Sequence, residues 1–193
     1  MDIETERQLV QAAKTDQAAF GMLFDAYYPP ISQYILRRVG EVAPAQDITS
    51  AVFLKAWQGL QKYEWRGLPF SAWLYRIAGN EVNSYFRHRK LWPLSLDALY
   101  EEVGFELADD RTVEQECIAY EDELARHQDF VTVQQIILGL PVKYQEVLAL
   151  RFFEHLPIKQ IAVILDKKEN TVKSLLKRGT AQVVRNFSKR KAL

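Results

Sequence analysis

Apolar residues recur at helical intervals in one segment after another of this 193-residue chain, and no stretch alternates apolar with polar residues as a half-buried strand does. That periodicity constrains the fold more than any other feature. Phe20, Leu23, Phe24 and Tyr27 predict an amphipathic helix near 16–28, which Pro29-Pro30 is expected to end. Ile31, Ile35 and Val39 predict a second helix stopping at Gly40. Pro44 opens a third, where Ile48, Val52, Phe53, Ala56, Trp57 and Leu60 make a wide apolar face. Residues 61–69 read as a loop, and a fourth helix is expected over 70–90. Its Leu74, Ala78, Val82 and Tyr85 share one face, and Arg76, Asn80, Asn83 and Arg87 another.

Residues 91–112 lack periodicity and are rich in acids. From Val113 a helical pattern returns and runs to Leu140, where Pro141 interrupts it. Val147, Leu148, Phe152 and Phe153 then share a helix. Pro157 suits the start of the next, where its missing N–H costs nothing, and Ile158, Ile161, Ala162 and Leu165 give that helix its buried stripe. After Asp166-Lys167-Lys168-Glu169 the last helix turns Val172, Leu176, Gly179 and Val183 inward. The reading is an all-α chain: a helical domain over 1–90, an acidic flexible linker over 91–112, and a helix-turn-helix domain over 113–193. Whether the two domains touch is left open.

The charge is distributed along the same lines. The formal total is zero, but residues 1–90 carry a net +2, residues 91–130 a net −10 and residues 131–193 a net +8. A basic end behind an acidic middle points to separate tasks for separate segments. A single cysteine, Cys117, allows no internal disulfide, and three scattered histidines (His88, His127, His155) do not suggest a zinc site. No Gly-rich phosphate loop and no nucleophile–base pair is evident, so neither an enzyme nor a cofactor is expected. No run approaches the roughly 18 apolar residues of a membrane span, and the acidic start lacks the parts of a secretion signal. A cytoplasmic protein is expected.

Two segments carry chemistry. In the first, Tyr63, Trp65, Phe70, Trp73 and Tyr75 lie within thirteen residues of one another, beside Lys62, Arg66 and Arg76, and the following helix ends in Arg87-His88-Arg89-Lys90. Exposed rings stack on unpaired bases while cations hold the backbone. Phe70 and Trp73 are expected in the core; Tyr63, Trp65 and Arg66, in the loop, are the better contact candidates. In the second, Lys173, Lys177 and Arg178 lie on or beside the outward face of the last helix, with Thr171 and Ser174 near its start. Such cations neutralise phosphates, and short polar side chains reach base edges in the major groove. The alternative for each segment is ordinary: core rings in one, a solvated helix face in the other.

Together these segments resemble regions two and four of bacterial RNA polymerase sigma factors, in particular the extracytoplasmic-function (ECF) group. Asp47-Ile48-Thr49-Ser50-Ala51-Val52-Phe53-Leu54-Lys55-Ala56-Trp57 is similar to the helix that binds the polymerase clamp. Trp73-Leu74-Tyr75-Arg76-Ile77-Ala78-Gly79-Asn80 is similar to the promoter-melting helix. Leu140–Leu148 and Thr171-Val172-Lys173-Ser174 resemble the start and the recognition helix of region four. The resemblance implies a dissociable, non-catalytic factor with three contact sets. Asp47, Ile48, Ser50, Ala51, Phe53, Leu54 and Trp57 would bind polymerase. Lys62, Tyr63, Trp65, Arg66, Trp73, Tyr75, Arg76, Asn80, Asn83, Arg87, Arg89 and Lys90 would read the minus-ten element and capture a flipped base. Lys168, Asn170, Thr171, Lys173, Ser174, Lys177 and Arg178 would bind the minus-thirty-five element.

The implied partners are core RNA polymerase (clamp and flap), promoter DNA both duplex and single-stranded, and an anti-sigma factor. The acidic linker would thread toward the RNA path, since basic channel walls respond to charge, with a plain soluble tether as the alternative. The chain departs from the pattern at several places. Ser50 and Ala51 stand where a Gln-Glu pair is usual, Gly79 and Leu175 where Arg is, and Asp166, Lys167 and Lys168 fill a turn that usually has Gly and a Ser cap. Lys is a poor N-cap, so Asn170 is the expected cap, starting the last helix late. A free-standing helix-turn-helix regulator is the alternative function, and an RNA-binding or scaffolding protein a third. The regulator has no need of the clamp-like and aromatic helices, and the third reading leaves the groove geometry of the last helices without a use.

Overall fold

The computed structural model describes residues 2–88 and 129–191. The acidic linker, the part of the next helical pattern that runs from Val113 to residue 128, Cys117, His127, Arg89 and Lys90 lie outside the described residues. Among those described, the chain is helical and has no strand. Helix α1 (Ile3–Ala12) starts at Asp2, whose carboxylate accepts from the Glu4 and Thr5 amides at 3.1 and 3.0 Å. Helix α2 spans Gln17–Val39 and ends at Gly40, which takes the left-handed conformation (φ 77°) that closes a helix without a Cβ penalty. Helix α3 (Val42–Gly59) carries Pro44 in its first turn, where no partner is owed to its nitrogen. A short 3₁₀ turn (Leu60–Lys62) and a loop lead into α4 (Phe70–His88).

The expected break at Pro29-Pro30 does not occur: α2 runs through both prolines as one helix. A proline costs a helix one N–H bond and a clash with the carbonyl four residues back. Here those carbonyls belong to Asp25 and Ala26, both exposed, where water can satisfy them. Leu23 on one side of the prolines and Ile31, Tyr34 and Ile35 on the other are buried in one core, which holds the helix together across the lesion.

The C-terminal helices are α5 over 129–138, α6 (Val142–Leu148), α7 (Ile158–Ile164) and α8 (Glu169–Lys191). Between α6 and α7 the chain widens into a π-helical turn, Ala149–Phe153. The wide turn lets consecutive residues face different neighbours. Val147 and Leu148 pack with Ile137, Leu140, Tyr144 and Leu176. Ala149 and Leu150 instead join Ile161, Ala162, Ile164 and Val172 in the same apolar cluster as the N-terminal helices. The two halves therefore touch, through α2 and α4 on one side and the π-turn and α7 on the other. Burying a side chain such as Leu150, fully enclosed there, is worth about 1.5–3 kcal/mol.

The turn before α8 is built without glycine. Asp166 takes the left-handed conformation itself (φ 53°), as its short polar side chain permits. Helix α8 begins at Glu169, with the Lys168 carbonyl accepting from the Thr171 and Val172 amides at 2.9 and 3.1 Å. Asn170 is thus inside the first turn and is not the cap. Val172, fully buried, fixes that start: its docking against the core outweighs the weak capping preference of Lys168. Gly179 lets α8 approach α6, since a Cβ there would meet Leu148 Cδ1 at 3.2 Å.

Candidate nucleic-acid and polymerase interface

The loop before α4 is held from below by α1. Glu6 is 3% exposed, accepts from the Phe70 amide at 2.9 Å and is hydrogen-bonded by the Tyr27 hydroxyl, so one carboxylate caps α4 and ties it to α2. Lys14 donates to the Tyr63 carbonyl at 2.9 Å, and Gln61 donates back to the Lys14 carbonyl. Sequence reasoning passed over Glu6. The signal was available: Glu6, Val10 and Ala13 share a helical face, and the other two are buried. Glu6→Ala leaves the Phe70 amide and the Tyr27 hydroxyl unpaired at a cost of about 1–3 kcal/mol each. We expect the thermal midpoint to drop by several degrees, read by circular dichroism; an unchanged midpoint removes Glu6 from the loop's support.

Above that base, Tyr63 meets Phe70 edge-on (5.5 Å between centroids) and lies 4.6 Å from Trp73, which is 5.4 Å from Phe70. Phe70 is buried, whereas Tyr63, Trp65 and Trp73 are half-buried. Burial pushes the Tyr63 hydroxyl up to about 12, so it is a neutral donor at physiological pH. Lys62 and Arg66 are exposed, and Arg66 reaches Glu64 at 3.9 Å, a solvated pair worth little. A groove of about 430 Å³ runs beside them, lined by Lys62, Tyr63, Arg66, Leu68, Trp73 and Arg76, with Val163 and Ile164 of α7 along one wall.

The residues of α4 are divided. Asn80 and Arg87 are exposed, as is Arg76, which makes a 4.0 Å pair with Asp166. Tyr75 is buried: its ring lies edge-on to Tyr34 at 5.1 Å and its hydroxyl donates to Glu154 at 2.5 Å. Burial raises the titration of the Tyr75 hydroxyl well above its ordinary range. It also raises Glu154, against the opposing pull of the Tyr75 hydroxyl and Arg37. Asn83 is engaged on both ends, accepting from Arg38 at 3.0 Å and donating to Glu146 at 2.7 Å.

On α3, Ile48 and Phe53 face the core, Ala51 is half-buried, and Asp47, Ser50, Leu54 and Trp57 face outward. Trp57 and Leu54 are 41% and 57% exposed, and on the adjoining face of α2 so is Phe24 (36%). Edge-on ring contacts, Phe20 to Trp57 at 4.7 Å and Phe24 to Phe53 at 4.8 Å, hold these side chains in place. An apolar face of this kind, left open to water, marks a protein–protein contact. On α8, Lys168, Asn170, Thr171, Lys173, Ser174, Lys177 and Arg178 are all exposed. Ser174 turns its hydroxyl back to the Asn170 carbonyl at 2.9 Å, leaving its oxygen as an acceptor.

A helical bundle with an open apolar face and a ring-lined groove, followed by a helix-turn-helix with a basic outer helix, defines a class of promoter-handling transcription factor. Comparison with known proteins makes it specific. Residues 23–91 match the model of Sigma-70 region 2, and residues 130–183 match that of Sigma-70 region 4. The chain is 33% identical over 180 residues to the ECF RNA polymerase sigma factor SigW of Bacillus subtilis, covering 93% of this chain and 94% of that one. It is 32% identical to the RNA polymerase sigma-H factor of Pseudomonas aeruginosa, covering 91% and 90%.

Among solved structures, CnrH in complex with the cytosolic domain of CnrY shares the fold (TM-score 0.67, 22% identity, 95% of this chain and 97% of that one). So does the sigma factor RpoE in complex with the anti-sigma factor NepR from Bartonella quintana (TM-score 0.63, 18% identity, 88% and 96%). The chain belongs to the ECF family of RNA polymerase sigma factors, and its work is to bind the core polymerase and direct it to promoters. No described helix is long and apolar enough to cross a membrane.

Proposed function

We propose that three surfaces divide the work of initiation. Leu54 and Trp57, with Asp47 and Ser50 beside them, dock on the polymerase clamp. Ile48, Ala51 and Phe53 support that face from beneath. The loop over 62–69 and the outer face of α4 read the minus-ten element, with Trp65 and Trp73 stacking on extruded bases and Lys62, Arg66, Arg76, Asn80 and Arg87 holding the strand. The exposed start of α8, from Lys168 to Arg178, enters the major groove at the minus-thirty-five element. The protein has no catalysis of its own, works in the cytoplasm, and is restrained by an anti-sigma factor, a partner of the kind bound to RpoE in the solved complex. Domain limits at 1–90, 91–112 and 113–193 complete the reading.

The observation that carries it is the ring-lined groove beside Arg66 and Arg76, since a duplex-only regulator has no use for one. The test is co-purification with bacterial core polymerase, followed by run-off transcription on a genomic promoter pool. New, discrete start sites are expected. Affinity for duplex DNA without polymerase binding would instead favour the free-standing regulator.

Lys173 offers a narrower check. It is exposed, and α8 does not use it in docking against α6. Lys173→Ala should weaken upstream-element binding uniformly across sequences and lower the salt slope by about one. An unchanged slope removes Lys173 from the phosphate contacts.

A further inference from the structure

Helix α1 and the turn after it stand before the stretch that matches region 2, which begins at residue 23, and none of the three contact sets reaches them. They nonetheless hold the loop over 62–69 at both of its ends. At the entry, the Lys14 ammonium donates to the Tyr63 carbonyl at 2.9 Å, and the Gln61 amide donates back to the Lys14 carbonyl. At the exit, the Glu6 carboxylate accepts from the Phe70 amide at 2.9 Å and from the Tyr27 hydroxyl. Between these anchors the loop has little bonding of its own. Among the described residues, no backbone bond joins residues 64–68 to the rest of the bundle, and Gly67 takes the left-handed conformation (φ 72°). Trp65 and Leu68 lean on the core, but apolar contact is non-directional and leaves the angle of the loop open. Hydrogen bonds are directional, and these fall on the two residues that frame the rings. Tyr63 and Phe70 meet edge-on at 5.5 Å, and Trp73 lies against both.

We propose that Lys14 and Glu6 are positioning residues for strand capture: from α1 and the turn after it they fix the entry and exit of the ring-bearing loop, and they do not touch DNA themselves. Glu6 is 3% exposed and sits at the N-terminus of α4, where the backbone dipole favours its charge. Lys14 is half-buried, and its ammonium is turned to a carbonyl of the protein. Rings already held in place bind a base without first being ordered, so positioning shows as affinity for the strand. This role rests on the assignment of the loop over 62–69 to the minus-ten strand.

The experiment uses the full chain with core polymerase, on a promoter located by the run-off assay. Fluorescence anisotropy gives the affinity for a labelled single strand copied from the non-template side of its minus-ten element, at several salt concentrations. Affinity for core polymerase is measured alongside. The variants are Lys14→Met, which keeps the stem and removes the donor; Lys14→Arg, which keeps a donor; Glu6→Ala and Glu6→Gln; and Trp65→Ala alone and with Lys14→Met.

Lys14→Met is expected to lower strand affinity about fivefold, the effect of one lost hydrogen bond. Its salt slope stays that of the wild type, whereas a lost phosphate contact would lower the slope by about 0.7. Glu6→Ala loses about tenfold. Glu6→Gln recovers most of that loss, because its amide oxygen still accepts from Phe70 and its NH₂ can donate to the Tyr27 oxygen; Lys14→Arg likewise recovers the loss of Lys14→Met. The paired variant loses less than the product of its two single losses, since Lys14 acts through the loop, and polymerase affinity stays within about twofold throughout. A slope lowered by Lys14→Met makes Lys14 a phosphate contact and overturns positioning, as do losses that multiply in the pair. Conservative variants no better than the disruptive ones overturn the hydrogen bonds as the cause. A parallel fall in polymerase affinity makes both residues supports of the whole bundle and overturns positioning too. Unchanged strand affinity in Lys14→Met, against a loss in Trp65→Ala, overturns the role of Lys14 and leaves the loop's assignment standing. Unchanged affinity in both, or a run-off assay without start sites, overturns that assignment and this role with it.

Discussion

Leu54→Glu combined with Trp57→Ala should weaken binding to core RNA polymerase by at least about a hundredfold, or roughly 2.7 kcal/mol. Both side chains stand in water in the free protein and neither closes the core, so the fold survives. Trp57 loses one ring contact with Phe20, worth about 1 kcal/mol. At a buried interface the arithmetic differs. A tryptophan at the centre of a contact is a typical hot spot, and a glutamate placed beside it must be stripped of water with no cation waiting. Polymerase pull-down or surface resonance measures the change, with circular dichroism as the control for folding. Binding within about threefold of wild type would move the polymerase contact off α3 and make the Ser50 and Ala51 departures a sign of a different docking face.

The second large effect concerns strand opening. Trp65→Ala and Arg66→Ala should each reduce open-complex formation, read by permanganate reactivity, by about tenfold or more, since stacking on one base is worth about 1–3 kcal/mol. Polymerase affinity should hold within about twofold, because neither residue belongs to the apolar face of α2 and α3. The two changes act differently. Arg66 can turn toward DNA, being exposed and paired, among the described residues, with an exposed Glu64. Trp65 is half-buried against the core, so its loss also loosens the loop. A parallel loss of polymerase binding and opening would place the loop's role in folding instead of strand capture.

Much of this architecture was legible in the residues. The stripes of α3, α4 and α8 are local in sequence, and a local period is what a single chain displays without its partners. Pro29-Pro30 misled for the same reason. Their effect on the backbone is local, but whether the helix survives was decided by Leu23 and Ile31 packing into one core. At α8 the capping rule pointed to Asn170, while the burial of Val172 set the register.

The candidate site was legible where chemistry is displayed outward, as with Lys173 or Arg66. It was not where polar groups are satisfied across long separations. Tyr75 and Glu154 are 79 residues apart, and Asn83 and Glu146 are 63 apart. No pattern in the sequence marks such a pair, because hydrogen-bond complementarity exists only after the chain has folded. Asn83 reads as a DNA contact from its helix face and Tyr75 from its place in the aromatic cluster; the structure pairs both with carboxylates of the C-terminal half, while Arg76, Asn80 and Arg87 stay exposed.

The contact between Glu154 and Arg37 joins two parts of one molecule, so its equilibrium contains no concentration term. Diluting the protein a thousandfold leaves the ratio of closed to open molecules where it was, whereas every intermolecular capture weakens in proportion. Making more of the protein thus raises the number of molecules that can meet polymerase without changing the share in which this contact is made. Only a ligand that prefers the open arrangement can move that share, and by no more than its preference. The strength of that contact is therefore a fixed property of the chain, one that expression level cannot reset.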